Sequence, residues 1–434
     1  MRILHVTPHL PPDQAANALL PWQLGNWAAE RGDEVEYVAH PPRAGGRARF
    51  AGPVVWVPRR SGGFVDRTLR IGSLIRAARL RRLLAPHIAA ADIVHAHSNG
   101  LLPELAVLLA RRASKPVVLT LYGTEIWHYR RKRGRPDLFT RAYNEASYVT
   151  FYSAGLMTRA QEVGLARGNA QVVYPPVGEA FSWHDEKAQA SERAALRIGN
   201  RHLLVNVKRL HPLASQRTLL DAMIDVVHGH PDTRLVICGA GPLLDELKGA
   251  ARAAGVERHV DFTGLVDNTV IARYCAAADL FVLPSILEAL PTVAVEALAC
   301  GTPVLSTDNP GGIELNSVFG ADVSIVPREQ PIALGKSISD LLQNKRRTST
   351  ATRETIEREF RPAAAAAQYW GIYEELRKQA LQRSETTELR VRQRERTFDV
   401  ADAEDFRGHD RGDARQGPGA ARAASHGEGG ADEP

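Results

Sequence analysis

Apolar residues in this chain gather into short unbroken runs, separated by longer stretches in which apolar positions recur at helical spacing. In the first half, the runs at residues 3–6, 35–38, 93–95, 117–121 and 148–151 predict strands, with helical segments such as Leu101–Arg112 between them. The second half repeats the rhythm, with strands expected at 203–207, 235–238, 260–262, 280–283, 303–306 and 323–326. Short apolar strands that alternate with helices imply parallel sheets covered on both faces. The expected fold class is therefore α/β, with two Rossmann-like domains facing a central cleft and a ligand at the carboxyl ends of the strands.

The stretch 172–191, VVYPPVGEAFSWHDEKAQAS, has two prolines and little periodicity, which places the domain connection there. The expected domains are 1–180 and 192–362. A helix is expected over 363–381, and from 384 to 434 the polar, charged and glycine-rich chain is expected to be disordered.

One segment carries chemistry. In 284–301, PSILEALPTVAVEALACG, Glu288 and Glu296 stand with seven residues between them across a strand-to-helix junction. The run 280–283 reads as the strand, Pro291 fits the first helical position, and residues 292–300 read as a helix ended by Gly301. A helix start offers free N–H groups and partial positive charge to a phosphate, and the two carboxylates accept hydrogen bonds from flanking hydroxyls. A sugar and a ribose joined by a diphosphate meet that description. An acidic pair that only complements the helix dipole meets it too.

The segment, extended through CGTPV at 300–304, resembles the Glu-x7-Glu signature of glycosyltransferase family 4, retaining enzymes of the two-domain GT-B fold. The resemblance implies transfer of a sugar from a nucleoside diphosphate sugar to a hydroxyl acceptor, with UDP the favoured base. It makes 1–180 the acceptor domain and 192–362 the donor domain, and has the helix 363–381 cross back to the first domain.

The resemblance also implies roles for single residues. Arg209, after the strand 203–207, matches the arginine that binds the donor diphosphate, where a guanidinium fork suits two phosphate oxygens. Glu288 would contact the sugar hydroxyls and Glu296 the ribose. Thr292 and Val293 would offer helix N-terminal amides, and the leaving phosphate would take the acceptor proton. Gly239, Gly241 and Val266 would lie around the base, although small residues at such turns also serve only to turn the chain.

Several positions depart from the family pattern. Ala214 and Ser215 stand where a lysine and a glycine are usual, and Arg217, one helical turn beyond Ala214, is the candidate replacement cation. Lys208 is the second candidate, turned away by strand alternation. Tyr122 replaces a histidine near the reacting carbon, and Glu125 replaces an aspartate. Ala15 and Ala16 replace two glycines, with Gln14 and Asn17 as neighbouring polar groups. The loop Gly311-Gly312-Ile313-Glu314 is one residue shorter than usual, which leaves Glu314 without a clear role. His95 is expected to be packed, His97 is a candidate for the cleft, and His128 reads as a surface residue.

Composition narrows the partners. The chain has 434 residues, 44% of them hydrophobic, and a formal charge of +6, which favours anionic ligands. Residues 67–84, from Arg67 to Leu84, mix six arginines with leucine and isoleucine at helical spacing. Such a helix either lies on acidic lipid or packs its apolar face inward. Arg130, Arg131, Lys132, Arg133 and Arg135 add basic charge, but no stacking-aromatic platform accompanies it, so nucleic acid is not an expected partner. Cys238, Cys275 and Cys300 match no metal or disulfide spacing and read as buried thiols. No metal site and no cofactor beyond the donor substrate are expected. The expected location is cytoplasmic, with the inner membrane face as a peripheral contact.

The richness in Arg and Ala suggests a bacterial gene, so cell-envelope polysaccharide and secondary-metabolite sugars both stand as products. The rival readings are an epimerase or phosphorylase of the same fold, and a nucleotide-sugar-binding protein that has lost catalysis.

Overall fold

The computed structural model describes residues 1–13, 16–43, 48–59, 71–98, 100–130 and 137–407, without the side chains of 71–76, 384 and 387–407. The described residues of Met1–Lys378 form one compact unit, and those from Gln379 to Arg407 belong to a second.

The first sheet comprises β1 (Arg2–Thr7), β2 (Glu34–Ala39), β3 (Val54–Trp56), β4 (Ile93–His97), β5 (Val117–Leu121), β6 (Tyr148–Phe151) and β7 (Ala170–Val172). The second comprises β8 (His202–Val207), β9 (Thr233–Cys238), β10 (Val260–Gly264), β11 (Leu280–Leu283), β12 (Val304–Thr307) and β13 (Val323–Val326). The strand orders are β3-β2-β1-β4-β5-β6-β7 and β10-β9-β8-β11-β12-β13. Every paired strand is parallel. The α/β reading from sequence is therefore met by two doubly wound sheets. β3 and β7 are additions to it: each is a three-residue edge strand, too short for an alternation signal.

Alternate side chains of each strand enter different cores, as a period of two requires. Leu4, Val6, Val94 and Leu119 pack on one face of the first sheet. Ile3, Tyr37, Ile93 and Val118 pack on the other, where Tyr369, Trp370 and Tyr373 cover them. Those three aromatics lie on the helix Pro362–Arg407 and are nearly fully buried. Each contributes ~1.5–3 kcal/mol of burial, which explains why a helix so late in the chain packs on the first sheet. In the second sheet, Leu204, Leu235 and Val282 face one core, and Leu203, Val236 and Phe281 the other.

Two expectations change here. The helix that begins at Pro362 runs to Arg407, so residues 384–407 are helical rather than disordered. Ser384 to Arg407 contains no glycine or proline and is rich in Glu and Arg, so helix propensity acts where no core is available. The remaining tail, 408–434, lies outside the described residues, as do Gln14, Ala15, 67–70, Arg131, Lys132, Arg133 and Arg135. The helix Ile71–Ala90 buries Leu80, Leu84 and Ile88 in the first core while Arg79, Arg81 and Arg82 are exposed. Its apolar stripe thus packs inward, and among the described side chains no apolar face is left for lipid. No helix among the described residues is long and apolar enough to cross a membrane.

Candidate functional site

The carboxyl end of β8 brings a cation to the junction segment. Lys208 Nζ lies 2.6 Å from Glu288 Oε1, an ion pair that is close without being aligned as a hydrogen bond. The alternation argument turned Lys208 away because it extended the strand by one residue; β8 ends at Val207, and alternation ends with it. Arg217, the favoured replacement cation, is instead exposed and committed to its own helix, with Nε 3.0 Å from Asp221 Oδ1. Lys208 therefore supplies the positive charge beside Glu288. Arg209 is exposed and makes no ion pair among the described residues. Ala214 is buried, and Ser215 adopts φ 52°, the left-handed conformation that glycine takes without strain.

The helix Thr292–Ala299 follows the loop that carries Glu288. Pro291 is its N-cap rather than its first residue, with φ −79° and ψ 96°, and no side chain caps the helix. The Pro291 carbonyl accepts from Ala294 N at 3.0 Å, so the amides of Thr292 and Val293 remain for another acceptor. Glu296 stands on the second turn, where burial pushes its carboxyl up to about 7. Gly311 N donates to the Glu288 carbonyl at 3.0 Å, and a Cβ at Gly311 would lie 2.8 Å from Glu288 Cβ. Gly311 thus lets the loop pass close enough to hold Glu288.

Gly239 and Gly241 meet protein backbone. A Cβ at Gly239 would overlap the Lys208 carbonyl, and one at Gly241 the Leu210 carbonyl. Lys208 N donates to Cys238 O at 3.0 Å and Leu210 N to Ala240 O at 3.1 Å. These glycines fix the course of the segment that presents Lys208 and Arg209. Val266 is half-buried against the second core. The three cysteines are buried and unbonded to one another, and burial pushes the Cys300 thiol up to about 12.

In the first half of the chain, Tyr122 faces inward. Its hydroxyl is 2.6 Å from Nδ1 of His97, which is fully buried. His97 Nε2 is in turn 3.1 Å from His5 Nδ1. His95 is bonded at both nitrogens, to Tyr373 and Thr120, each at 2.6 Å. Sequence reasoning named no metal cluster, and it overlooked His5, which β-sheet register sets opposite His95. The fold gathers His5, His95 and His97 with nitrogens within 4.8 Å of one another. Only His5 Nε2 lacks a hydrogen bond, so these nitrogens are committed to the protein rather than converging on an ion. Burial lowers all three pKa values, His5 to about 3, which leaves neutral imidazoles. Glu125 folds back to accept from Tyr122 N at 2.6 Å and Gly123 N at 3.3 Å. Asn17 is buried, with its carbonyl 2.5 Å from Thr7 Oγ1, and His128 is exposed.

Two doubly wound parallel sheets define a GT-B-type fold, and in this one cations, carboxylates and an uncapped helix gather at one strand-to-helix junction. Comparison with known proteins narrows this class. Residues 188–358 match the family described as "Glycosyl transferases group 1", and residues 22–180 the one described as "Glycosyltransferase Family 4". The chain is 31% identical over 295 residues to a GDP-mannose-dependent alpha-(1-6)-phosphatidylinositol monomannoside mannosyltransferase of Mycolicibacterium smegmatis, covering 65% of this chain and 75% of that protein. It is 30% identical over 307 residues to a glycogen synthase of Mycobacterium tuberculosis, covering 68% and 71%. Its fold is similar to that of Anabaena HepE in complex with UDP, with TM-score 0.65, 19% identity and coverage of 86% and 100%. A sucrose-phosphate synthase from Thermosynechococcus elongatus gives TM-score 0.67 at 18% identity, with coverage of 87% and 99%. The chain belongs to glycosyltransferase family 4, also called group 1, the retaining nucleotide-sugar-dependent glycosyltransferases of the GT-B fold.

Proposed function

We propose that this glycosyltransferase moves a hexose from a nucleoside diphosphate sugar to a hydroxyl of a cell-envelope glycan or of its lipid-linked precursor. Residues 1–180 hold the acceptor and 192–362 the donor. The observation that carries the reading is the ion pair of Lys208 with Glu288, set beside Arg209 and the uncapped start of the helix Thr292–Ala299. Arg209, Lys208 and the amides of Thr292 and Val293 stabilise the charge that grows on the departing diphosphate. Lys208 orients Glu288 toward the sugar hydroxyls, and Glu296 meets the ribose. The bond from the anomeric carbon to the diphosphate breaks, the acceptor oxygen bonds on the same face, and its proton passes to the leaving phosphate.

GDP-mannose is the leading donor. The UDP-sugar favoured on family frequency alone is supported only by fold likeness to HepE, whereas the 31%-identical relative is named for GDP-mannose. A thermal-shift screen with GDP, UDP, ADP, dTDP and their common sugars tests this, repeated with Arg209→Ala and Glu296→Ala. Stabilisation by GDP that both variants lose supports the reading. No response to any nucleotide at millimolar concentration refutes it in favour of a degenerate relative that has lost the donor site, while binding of a donor without turnover favours a nucleotide-sugar-binding protein that has lost catalysis.

A further inference from the structure

The helix Pro310–Phe319 is fastened at its start to the loop that carries Glu288. Thr307 Oγ1 and Asn309 Nδ2 both donate to the Ser285 carbonyl, at 2.5 and 3.1 Å, and Gly311 N donates to the Glu288 carbonyl at 3.0 Å. Asn309 Oδ1 also caps the helix by accepting from Gly312 N at 3.0 Å. Loop and helix start are held together at both ends of 285–288, so a shift of one moves the other.

One turn further along the same helix, Glu314 reaches the first half of the chain. Its carboxylate is buried and accepts from Ala154 N at 2.6 Å and Gly155 N at 2.8 Å, at the start of the helix Ala154–Glu162. A carboxylate there meets two amides and the positive end of the helix dipole, which makes these bonds stronger than neutral ones. Gly155 leaves room for it, since a Cβ at that position would lie 3.1 Å from Oε2. The helix Ala154–Glu162 leads back to the Glu288 loop by a second route. Tyr152, two residues before it, donates its N–H to Leu121 O at 3.2 Å, and its ring centroid lies 4.7 Å from that of Tyr122. Glu125 fixes the Tyr122-Gly123 turn, and a Cβ at Gly123 would stand 3.4 Å from that of Ala289, the residue after Glu288. The contacts close into a ring that leaves the Glu288 loop through Gly311 and returns to it through Gly123.

We propose that Glu314 is a positioning residue for the transfer: it closes this ring, and so holds the Tyr122-Gly123 turn of the first half against the loop that presents Glu288 to the sugar. The assignment rests on the transferase reading above. Glu314 acts through Gly311 and the Glu288 loop rather than on substrate. With the ring open, that loop is held from the second half alone, and a misplacement of about 1 Å at the reacting groups costs on the order of 100-fold in rate. The diphosphate contacts assigned to Arg209 and to the helix Thr292–Ala299 lie within the second half, so nucleotide affinity is spared.

The test compares the full chain as wild type, Glu314→Gln and Gly155→Val, the last of which displaces the carboxylate from the first half without changing Glu314. Binding of GDP, UDP, ADP and dTDP is measured by calorimetry, and release of nucleotide from GDP-mannose and UDP-glucose, with water as the acceptor, by a coupled assay. Backbone hydrogen-deuterium exchange is followed by mass spectrometry. Both variants should bind nucleotide within about threefold of wild type and release it about tenfold or more slowly at saturating donor, with the donor KM little changed. Exchange should quicken about tenfold in 285–290 and in 122–125, away from the substituted positions. A purely local role for Glu314 would confine faster exchange to the helix start at 153–157, or leave turnover at saturation as in wild type, and either result overturns the proposal. If wild type releases no nucleotide to water, the exchange at 285–290 decides by itself. Far-UV circular dichroism identifies a misfolded variant, and the other then carries the test. Nucleotide binding with unchanged exchange at 285–290 rejects the assignment and leaves the transferase reading standing, whereas wild type that binds none of the four nucleotides ends that reading and this assignment with it.

Discussion

The carboxylate of Glu314, which follows the second sheet's β12, caps the helix that Ala154 begins after the first sheet's β6: Oε1 accepts from Ala154 N at 2.6 Å and Oε2 from Gly155 N at 2.8 Å. The shortened loop that made this glutamate hard to assign thus delivers it to a contact between the two halves of the chain. Glu314→Ala leaves two amides at a helix start unmet, and should lower stability by about 1–3 kcal/mol. Urea denaturation checks this. Nucleotide affinity should stay within a few-fold of wild type, because Glu314 is engaged by protein backbone.

The two candidate cations separate cleanly by mutation. Lys208→Met removes the partner of a largely buried Glu288 and should lower kcat/KM roughly 10- to 100-fold. Arg217→Ala removes an exposed pair on its own helix, worth about 0.3–0.5 kcal/mol, and should leave turnover within twofold. Equal losses in both variants would contradict the placement of the cation.

Glu296 makes stability depend on pH. Burial pushes its folded carboxyl up to about 7 from the usual 4.5. Between those values the folded state keeps a proton that the unfolded state releases, so stability falls as pH rises through this window and the full penalty is present above it. The size is about 3 kcal/mol, and Glu296→Gln should flatten that part of a chemical-denaturation profile between pH 4.5 and 8. A slope unchanged in the variant would assign the dependence to other groups.

Gly311 tests how Glu288 is held. Gly311→Ala sets a Cβ 2.8 Å from Glu288 Cβ and 2.9 Å from Pro291 Cδ, so the loop must move. Turnover should drop at least tenfold while far-UV circular dichroism is unchanged; full activity would show that Glu288 is positioned by Lys208 alone.

Ser215 gives a prediction of near neutrality. At φ 52° it holds a left-handed conformation, and its Oγ is 2.9 Å from Thr218 Oγ1. Ser215→Gly relieves about 1 kcal/mol of strain and loses that bond together with some unfolded-state entropy. These contributions nearly cancel, so the urea midpoint should stay close to that of wild type, within the equivalent of about 1 kcal/mol.

The chain by itself determined the two-sheet α/β architecture, eleven of the thirteen strands, and the junction that carries Glu288 and Glu296. These features are local: short apolar runs, helix breakers and a motif written in consecutive residues, all of which act over a few positions. Tertiary structure alone decided which cation meets Glu288, because the end of β8 at Val207 set the direction of Lys208 and the pairing with Asp221 took Arg217 away. It also decided that Tyr122 turns toward His97, that Gly239 and Gly241 pack on backbone, and that Glu314 bonds to Ala154 and Gly155. Each of these depends on strand order and on loops far apart in sequence, and the register of parallel strands joined by long crossovers is set by packing rather than by any short stretch of residues.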